Sequence, residues 1–153
     1  MNIGARRRGP AASVLIAALA SAACSSSSAL KFRCDASQIN GGLLLTVDVV
    51  RATEAQARQI EALGEKWFYD PLRDSLRDKT TTVTFQGGAN SVRCERDVAV
   101  KAEGKDRYLV IIADYKYQSA DASRQLLTLS PDRWKGKTLE VAVRERELSV
   151  GGR

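Results

Sequence analysis

Few side chains in this sequence could do chemistry. They are three cysteines, Cys24, Cys34 and Cys94, one acid set in an apolar stretch, Asp114, and the aromatic run Trp67-Phe68-Tyr69. The sequence contains no histidine. A Ser-His-Asp triad, a Cys-His dyad and the usual zinc sites are therefore excluded, because each needs an imidazole as base or ligand. The cysteines lack C-x-x-C spacing, which argues against a redox-active pair. No glycine-rich phosphate loop, metal-ligand cluster or internal repeat is found, so neither metal nor cofactor is expected. Asp114 is the one acid whose surroundings could raise its pKa, yet an outward or hydrogen-bonded structural aspartate is the commoner outcome. No second carboxylate is evidently paired with it. The aromatic run could form a binding platform, but beside an amphipathic helix such a run is more often core. Tyr115 and Tyr117, on one strand face, take the same reading. The chain reads as a non-enzyme with no small-molecule substrate.

At the amino terminus Arg6, Arg7 and Arg8 precede an uncharged apolar stretch from Ala11 to Ala23. That is a signal-peptide layout, and the stretch falls short of the roughly 20 residues of a membrane-spanning helix. Ser21, Ala22 and Ala23 lead into Cys24, which resembles the lipobox of bacterial lipoproteins, where the cysteine is acylated and becomes the new amino terminus. The match is degenerate, since Ser21 stands where a large aliphatic residue is usual and Leu19 comes early. Ordinary cleavage after Ala22 or Ala23 is the alternative. In such lipoproteins an aspartate after the cysteine favours inner-membrane retention, and Ser25 instead implies the outer membrane. With Cys24 acylated, Cys34 and Cys94 are left as an even pair in an oxidising space. A disulfide between them would close a loop of about 60 residues and stabilise by roughly 4 kcal/mol in the chain-entropy model. Two buried free thiols are the alternative, because the sequence does not set the distance between the two Cβ atoms.

The elements that position these residues follow from pattern. Residues 1–23 form the signal, and 24–29 the lipidated cysteine with a serine-rich tether. Residues 30–153 are one domain's worth of chain. The chain carries 24 Lys plus Arg against 18 Asp plus Glu. Removing the three signal arginines leaves 21 against 18, or +3. That balance is mild, and basic and acidic residues alternate closely, so a nucleic-acid partner is not expected. Leu30, Phe32 and Cys34 alternate with polar residues as a first strand, and Leu43, Leu45, Val47 and Val49 as a second. Asn40-Gly41-Gly42 between them reads as a hairpin turn, making the two an antiparallel pair. Thr53 with Gln56 forms a capping box for a helix with Ala57, Ile60 and Leu63 on one face and Gly64 as terminator. Asp70-Pro71 starts a second short helix carrying Leu72 and Leu76. Val83 and Phe85 precede Gly87-Gly88. Val92, Cys94, Val98 and Val100 then share a face that Arg96 interrupts. Tyr108 to Ala113 suits a central strand covered on both sides. Arg124 to Leu129 is a further strand, and Leu139 to Val150 a last one with a bulge or bend near Arg144 to Glu147, where the apolar parity switches. About seven strands and one helical insertion predict a mainly β, two-sheet sandwich.

The ordered features together resemble the type VI secretion system outer-membrane lipoprotein family, often called TssJ or SciN. The pieces that carry the resemblance are the signal ending at Cys24, the first strand running to Gln38-Ile39-Asn40, and the strand Leu43 to Val50. Trp67-Phe68-Tyr69-Asp70, Val110-Ile111-Ile112-Ala113-Asp114-Tyr115 and the closing Leu139 to Val150 complete them. Order and spacing along nearly the whole chain carry the likeness, since no single piece is specific. The resemblance implies a transthyretin-like β-sandwich with a short helical insertion after the second strand. It implies a lipid anchor at Cys24 on the periplasmic face of the outer membrane. The implied partner is the periplasmic domain of the inner-membrane subunit of the secretion apparatus, a TssM-like protein. The family's contact loop maps onto Asp35, Ala36, Ser37, Gln38, Ile39, Asn40, Gly41 and Gly42. That loop departs from the family pattern: Leu-Asn-Pro and a longer run are usual, whereas Ile39-Asn40-Gly41 stands here and the loop is short. A disulfide is no general mark of the family and rests on cysteine arithmetic. Another lipoprotein binding module, pilotin-like or envelope-associated, is the rival reading, and a histidine-free carboxylate enzyme a more distant one.

Overall fold

The computed structural model describes residues 27–34, 38–86, 94–116 and 122–151. Its strands are β1 (Ser27–Cys34), β2 (Leu45–Ala52), β3 (Thr80–Phe85), β4 (Glu95–Lys101), β5 (Tyr108–Ala113), β6 (Leu126–Leu129), β7 (Thr138–Val143) and β8 (Leu148–Gly151). Helices α1 (Glu54–Leu63) and α2 (Pro71–Ser75) lie between β2 and β3, and the single turn α3 (Pro131–Trp134) precedes β7. The strands form two four-stranded sheets, ordered β4-β1-β7-β8 and β3-β2-β5-β6. This is the two-sheet sandwich with a helical insertion after the second strand that the pattern predicts.

Two apolar layers hold it together. The inner faces of both sheets meet in one cluster that includes Leu30, Phe32, Val47, Val49, Ile111, Trp134 and Val141. The outer face of the second sheet presents Val50, Ala52, Val110 and Ile112 to Ala57, Ile60, Trp67 and Leu76 of the helical insertion. β2 and β5 are therefore covered on both faces, which is why β5 reads as an unbroken apolar run. Burying each aliphatic side chain contributes about 1.5–3 kcal/mol. The insertion is thus a second half of the core and not an appendage. Its helix begins as predicted: the Thr53 side chain accepts from Gln56 N–H at 3.3 Å while Gln56 Oε1 accepts from Thr53 N–H at 3.0 Å.

Three expectations change. First, β1 and β2 are not partners. β1 pairs antiparallel with β4 and parallel with β7, while β2 lies in the other sheet between β3 and β5. Asn40-Gly41-Gly42 is a 3-10 turn in the crossing between sheets. The demand for positive φ that marks an Asn-Gly hairpin is present here, at Asn40 (50°), Gly41 (61°) and Gly42 (84°). It serves a different connection. Second, the last predicted strand is two. Val143 pairs with Leu148 across a turn closed by Arg144 N–H donating to the Glu147 carbonyl at 2.9 Å. The switch in apolar parity marks a reversal of direction and not a bulge, and it raises the strand number from seven to eight. Third, β1 starts at Ser27, before Leu30. Ser27, Ser28 and Ala29 pair with Lys101, Val100 and Ala99, so part of the expected tether is sheet.

The register gives the sandwich two distinct ends. Ser27 pairs with Lys101, and Ala29 N–H donates to the Lys137 carbonyl at 3.0 Å, which puts the start of β1 beside the end of β4 and the α3 turn. The eight residues of β1 then run roughly 26 Å to Cys34. At that far end lie the start of β2, the end of β5 and the β7–β8 turn.

Candidate docking surface

Asn40 organises the far end. Its side chain is fully buried, donating from Nδ2 to the Leu44 carbonyl at 2.8 Å and accepting at Oδ1 from Lys116 N–H at 2.7 Å. Its own N–H donates to the Glu145 carbonyl at 2.9 Å. One residue, through its side-chain amide and its backbone N–H, therefore joins three connections: the crossing from β1 to β2, the chain after β5, and the β7–β8 turn. Asparagine suits the place twice over, because it tolerates left-handed backbone and offers both a donor and an acceptor. Tyr115 adds a second tie, its hydroxyl lying 3.0 Å from the Arg144 carbonyl and 2.9 Å from that of Glu147. Burial, with the nearby Glu147 charge, pushes its phenol pKa well above the ordinary value.

The predicted contact loop is thus divided by burial. Ile39 is 2% exposed and belongs to the sandwich core, and Asn40 is inside, while Gln38, Gly41 and Gly42 face outward. Asp35, Ala36 and Ser37 lie outside the described residues, as does Cys24. The turn is followed by two side chains the prediction placed in a strand: Leu43 is 47% exposed and Leu44 58%. Tyr69, 78% exposed, stands near them through Lys116, whose ammonium donates to the Tyr69 hydroxyl at 3.2 Å and pairs with Asp114 at 2.8 Å. Those contacts, the bond to Asp114 first, raise the Lys116 pKa. Around this apolar trio charges pair among themselves. Glu147 meets Arg124 at 2.9 Å and Arg144 at 3.0 Å, and the bonds to Arg144 and then Arg124 lower its pKa. The end can thus offer a shaped, partly apolar surface.

Cys34 and Cys94 are joined as a disulfide, with Cα atoms 5.3 Å apart and Cys34 N–H donating to the Cys94 carbonyl at 3.1 Å. The bond lies where β1 leaves its sheet, just before the predicted contact loop.

The remaining candidates separate. Asp114 is not a buried acid but the ion-pair partner of Lys116. The aromatic run splits, with Trp67 fully buried, Phe68 half-buried beneath the Arg73 guanidinium at 5.4 Å, and only Tyr69 exposed. Tyr117 lies outside the described residues. Arg96 is exposed on the edge strand β4, where a charge discourages sheet extension. Sequence reasoning missed Asp48, the one fully buried carboxylate among the described residues. It accepts from Trp67 Nε1 at 2.9 Å, from Arg73 Nε at 2.8 Å and from Thr82 Oγ1 at 2.6 Å. The bond to Asp48 raises the Arg73 pKa further and keeps it charged. A lone acid inside the apolar strand Leu45 to Ala52 was the available signal. This network fastens the insertion to the sheet. Among the described residues no group of metal-ligating side chains is found, and no helix is long and apolar enough to cross a membrane.

The fold and this end define a two-sheet β-sandwich with a helical layer on one sheet and a partly apolar loop end. Comparison with solved structures gives the fold a name. The structure of the type VI secretion lipoprotein TssJ1 from Pseudomonas aeruginosa matches 84% of this chain and 97% of its own, with a TM-score of 0.62 at 13% identity. The membrane-bound type VI component Lip from Serratia marcescens matches 84% and 98%, with a TM-score of 0.57 at 15% identity. A chain in the structure described as the TssM C-terminal domain from EAEC matches 83% and 98%, with a TM-score of 0.65 at 13% identity. The fold is TssJ-like, and these neighbours are secretion-system lipoproteins and complex components, not enzymes. No family model matches the sequence, and comparison with curated proteins finds no match.

Proposed function

We propose that this protein is a lipoprotein of a type VI secretion membrane complex. It is acylated at Cys24, held on the periplasmic face of the outer membrane, and docks the periplasmic domain of a TssM-like inner-membrane subunit. The observation that carries the reading is the likeness of the whole sandwich to type VI lipoproteins, each covered almost from end to end. Polarity supports it. A lipid at Cys24 enters beside Ser27, whereas Gln38 to Leu44 lie at the opposite end, so anchoring leaves the candidate contact loop facing away from the membrane. Several acyl chains on one cysteine make attachment durable where a single chain would be reversible. Anchored copies meet a spanning partner at raised effective concentration, so a modest affinity per copy suffices. The protein acts as a scaffold.

The test is a pull-down from crosslinked envelopes with the full-length protein beside a Cys24→Ser form, partners being identified by mass spectrometry. The reading predicts recovery of a type VI inner-membrane subunit and release of the Cys24→Ser form from the outer-membrane fraction. Recovery of unrelated envelope proteins, or unchanged fractionation, would overturn it in favour of a different binding module.

A further inference from the structure

The end of the sandwich where β1 begins carries an excess of positive charge. Lys101, Lys105, Arg107, Arg133, Lys135 and Lys137 gather there, five of them exposed and Lys135 half-buried. Their clustering follows from backbone contacts. Lys101 pairs with Ser27, the Lys137 carbonyl accepts from Ala29 N–H, Gly136 N–H donates to Ser28 Oγ at 2.9 Å, and Trp134 Nε1 donates to the Arg107 carbonyl at 2.8 Å. Among the described residues none of the six takes part in an ion pair. The acids of this end are engaged elsewhere: Glu103 with Arg51 at 2.6 Å and Asp106 with Lys79 at 2.8 Å. Asp132 accepts from Ser130 Oγ at 2.6 Å and, with Lys137 and Arg133 nearby, has a lowered pKa. Two acids outside ion pairs, Asp132 and the exposed Asp78, which lines one hollow with Lys101 and Glu103, thus stand among six cations.

We infer that this face seats on an anionic lipid surface, the membrane that holds Cys24. The inference rests on acylation of Cys24. Only Cys24, Ser25 and Ser26 separate the lipid from the sheet, and three residues span at most about 10 Å. That reach is close to the ~8 Å Debye length at physiological ionic strength, so the cations feel the headgroup charge little screened. Each Lys or Arg near such a surface is worth about fivefold in partitioning. The patch therefore works with the short tether: it fixes which face of the domain meets the bilayer, and so directs the opposite end into the periplasm.

The test uses the chain from residue 24, which holds every described element of the fold, with Cys24→Ser to remove the lipid. Partitioning is measured on vesicles of phosphatidylethanolamine alone and of phosphatidylethanolamine mixed with phosphatidylglycerol. The expected result is binding to the phosphatidylglycerol vesicles only, lost at high salt. Lys105→Glu with Lys137→Glu should reduce it by at least about tenfold, while Lys66→Glu with Arg96→Glu, an equal charge change elsewhere, should leave most of it. Absent or salt-insensitive binding, equal binding to both vesicles, or the same loss in both double variants would overturn the inference. Failure of acylation reads differently: the native protein would then leave the membrane fraction of cells while the vesicle result stood.

Discussion

The two ends of this sandwich are built on different principles. At the end where β2 begins, polar groups are turned inward or against one another: Asn40 is buried, the Cys34–Cys94 disulfide closes the exit of β1, and Glu147 gathers Arg124 and Arg144. The large hydrophobic side chains left outward among the described residues are Leu43, Leu44 and Tyr69. At the end where β1 begins, Glu103 and Asp106 are drawn into pairs and cations are left in excess. One end holds a shape and shows apolar surface, while the other shows charge. A protein fastened at one end and read at the other needs both, because long-range orientation is electrostatic and specific contact depends on desolvated, well-placed side chains.

The contrast can be broken most severely at the shaped end. Replacing Cys34 and Cys94 with serine should lower unfolding free energy by about 4 kcal/mol, measured by denaturant titration under non-reducing conditions. Next comes Asn40→Ala, which removes two buried hydrogen bonds, leaves the Leu44 carbonyl and Lys116 N–H without their partner, and puts alanine in left-handed backbone. A loss of about 3 kcal/mol is expected. Asn40→Gly relieves the backbone and should recover about 1 kcal/mol of that, which separates the two causes. Tyr115→Phe should cost about 1 kcal/mol, since the Glu147 carbonyl keeps the Arg144 N–H. Smallest is the effect of acid. The lowered pKa of Glu147 contributes stability above its ordinary value, and that contribution is lost as pH falls through the lowered one. The β7–β8 turn should therefore exchange amide protons faster under strongly acidic conditions than Glu147→Gln, which lacks the titration, relative to each at neutral pH.

What the sequence made legible was local. The capping box at Thr53 and Gln56, the Asp70-Pro71 start and the doubly covered Tyr108 to Ala113 each follow from chemistry within a few residues. The Cys34–Cys94 bond followed from parity in number. What was illegible depended on what lies across space. An Asn-Gly-Gly turn asks for the same backbone in a hairpin and in a crossing, so nothing local assigns β1 and β2 to different sheets. Asp48 sits opposite Val47 and Val49 in the alternation and reads as a solvent-facing residue until the helical layer covers it. The candidate surface was half legible for the same reason. Leu43 and Leu44 look like the start of a strand, and their exposure appears only once Asn40 is seen to bind the Leu44 carbonyl and hold the turn.

The most direct test of the account is site-specific photo-crosslinking in cells, with the photoreactive residue placed at Leu44 or at Lys105 of otherwise native protein. A type VI inner-membrane subunit captured from Leu44 and not from Lys105 is the predicted result. Capture from Lys105, or from neither position in cells with an assembled secretion apparatus, would contradict it.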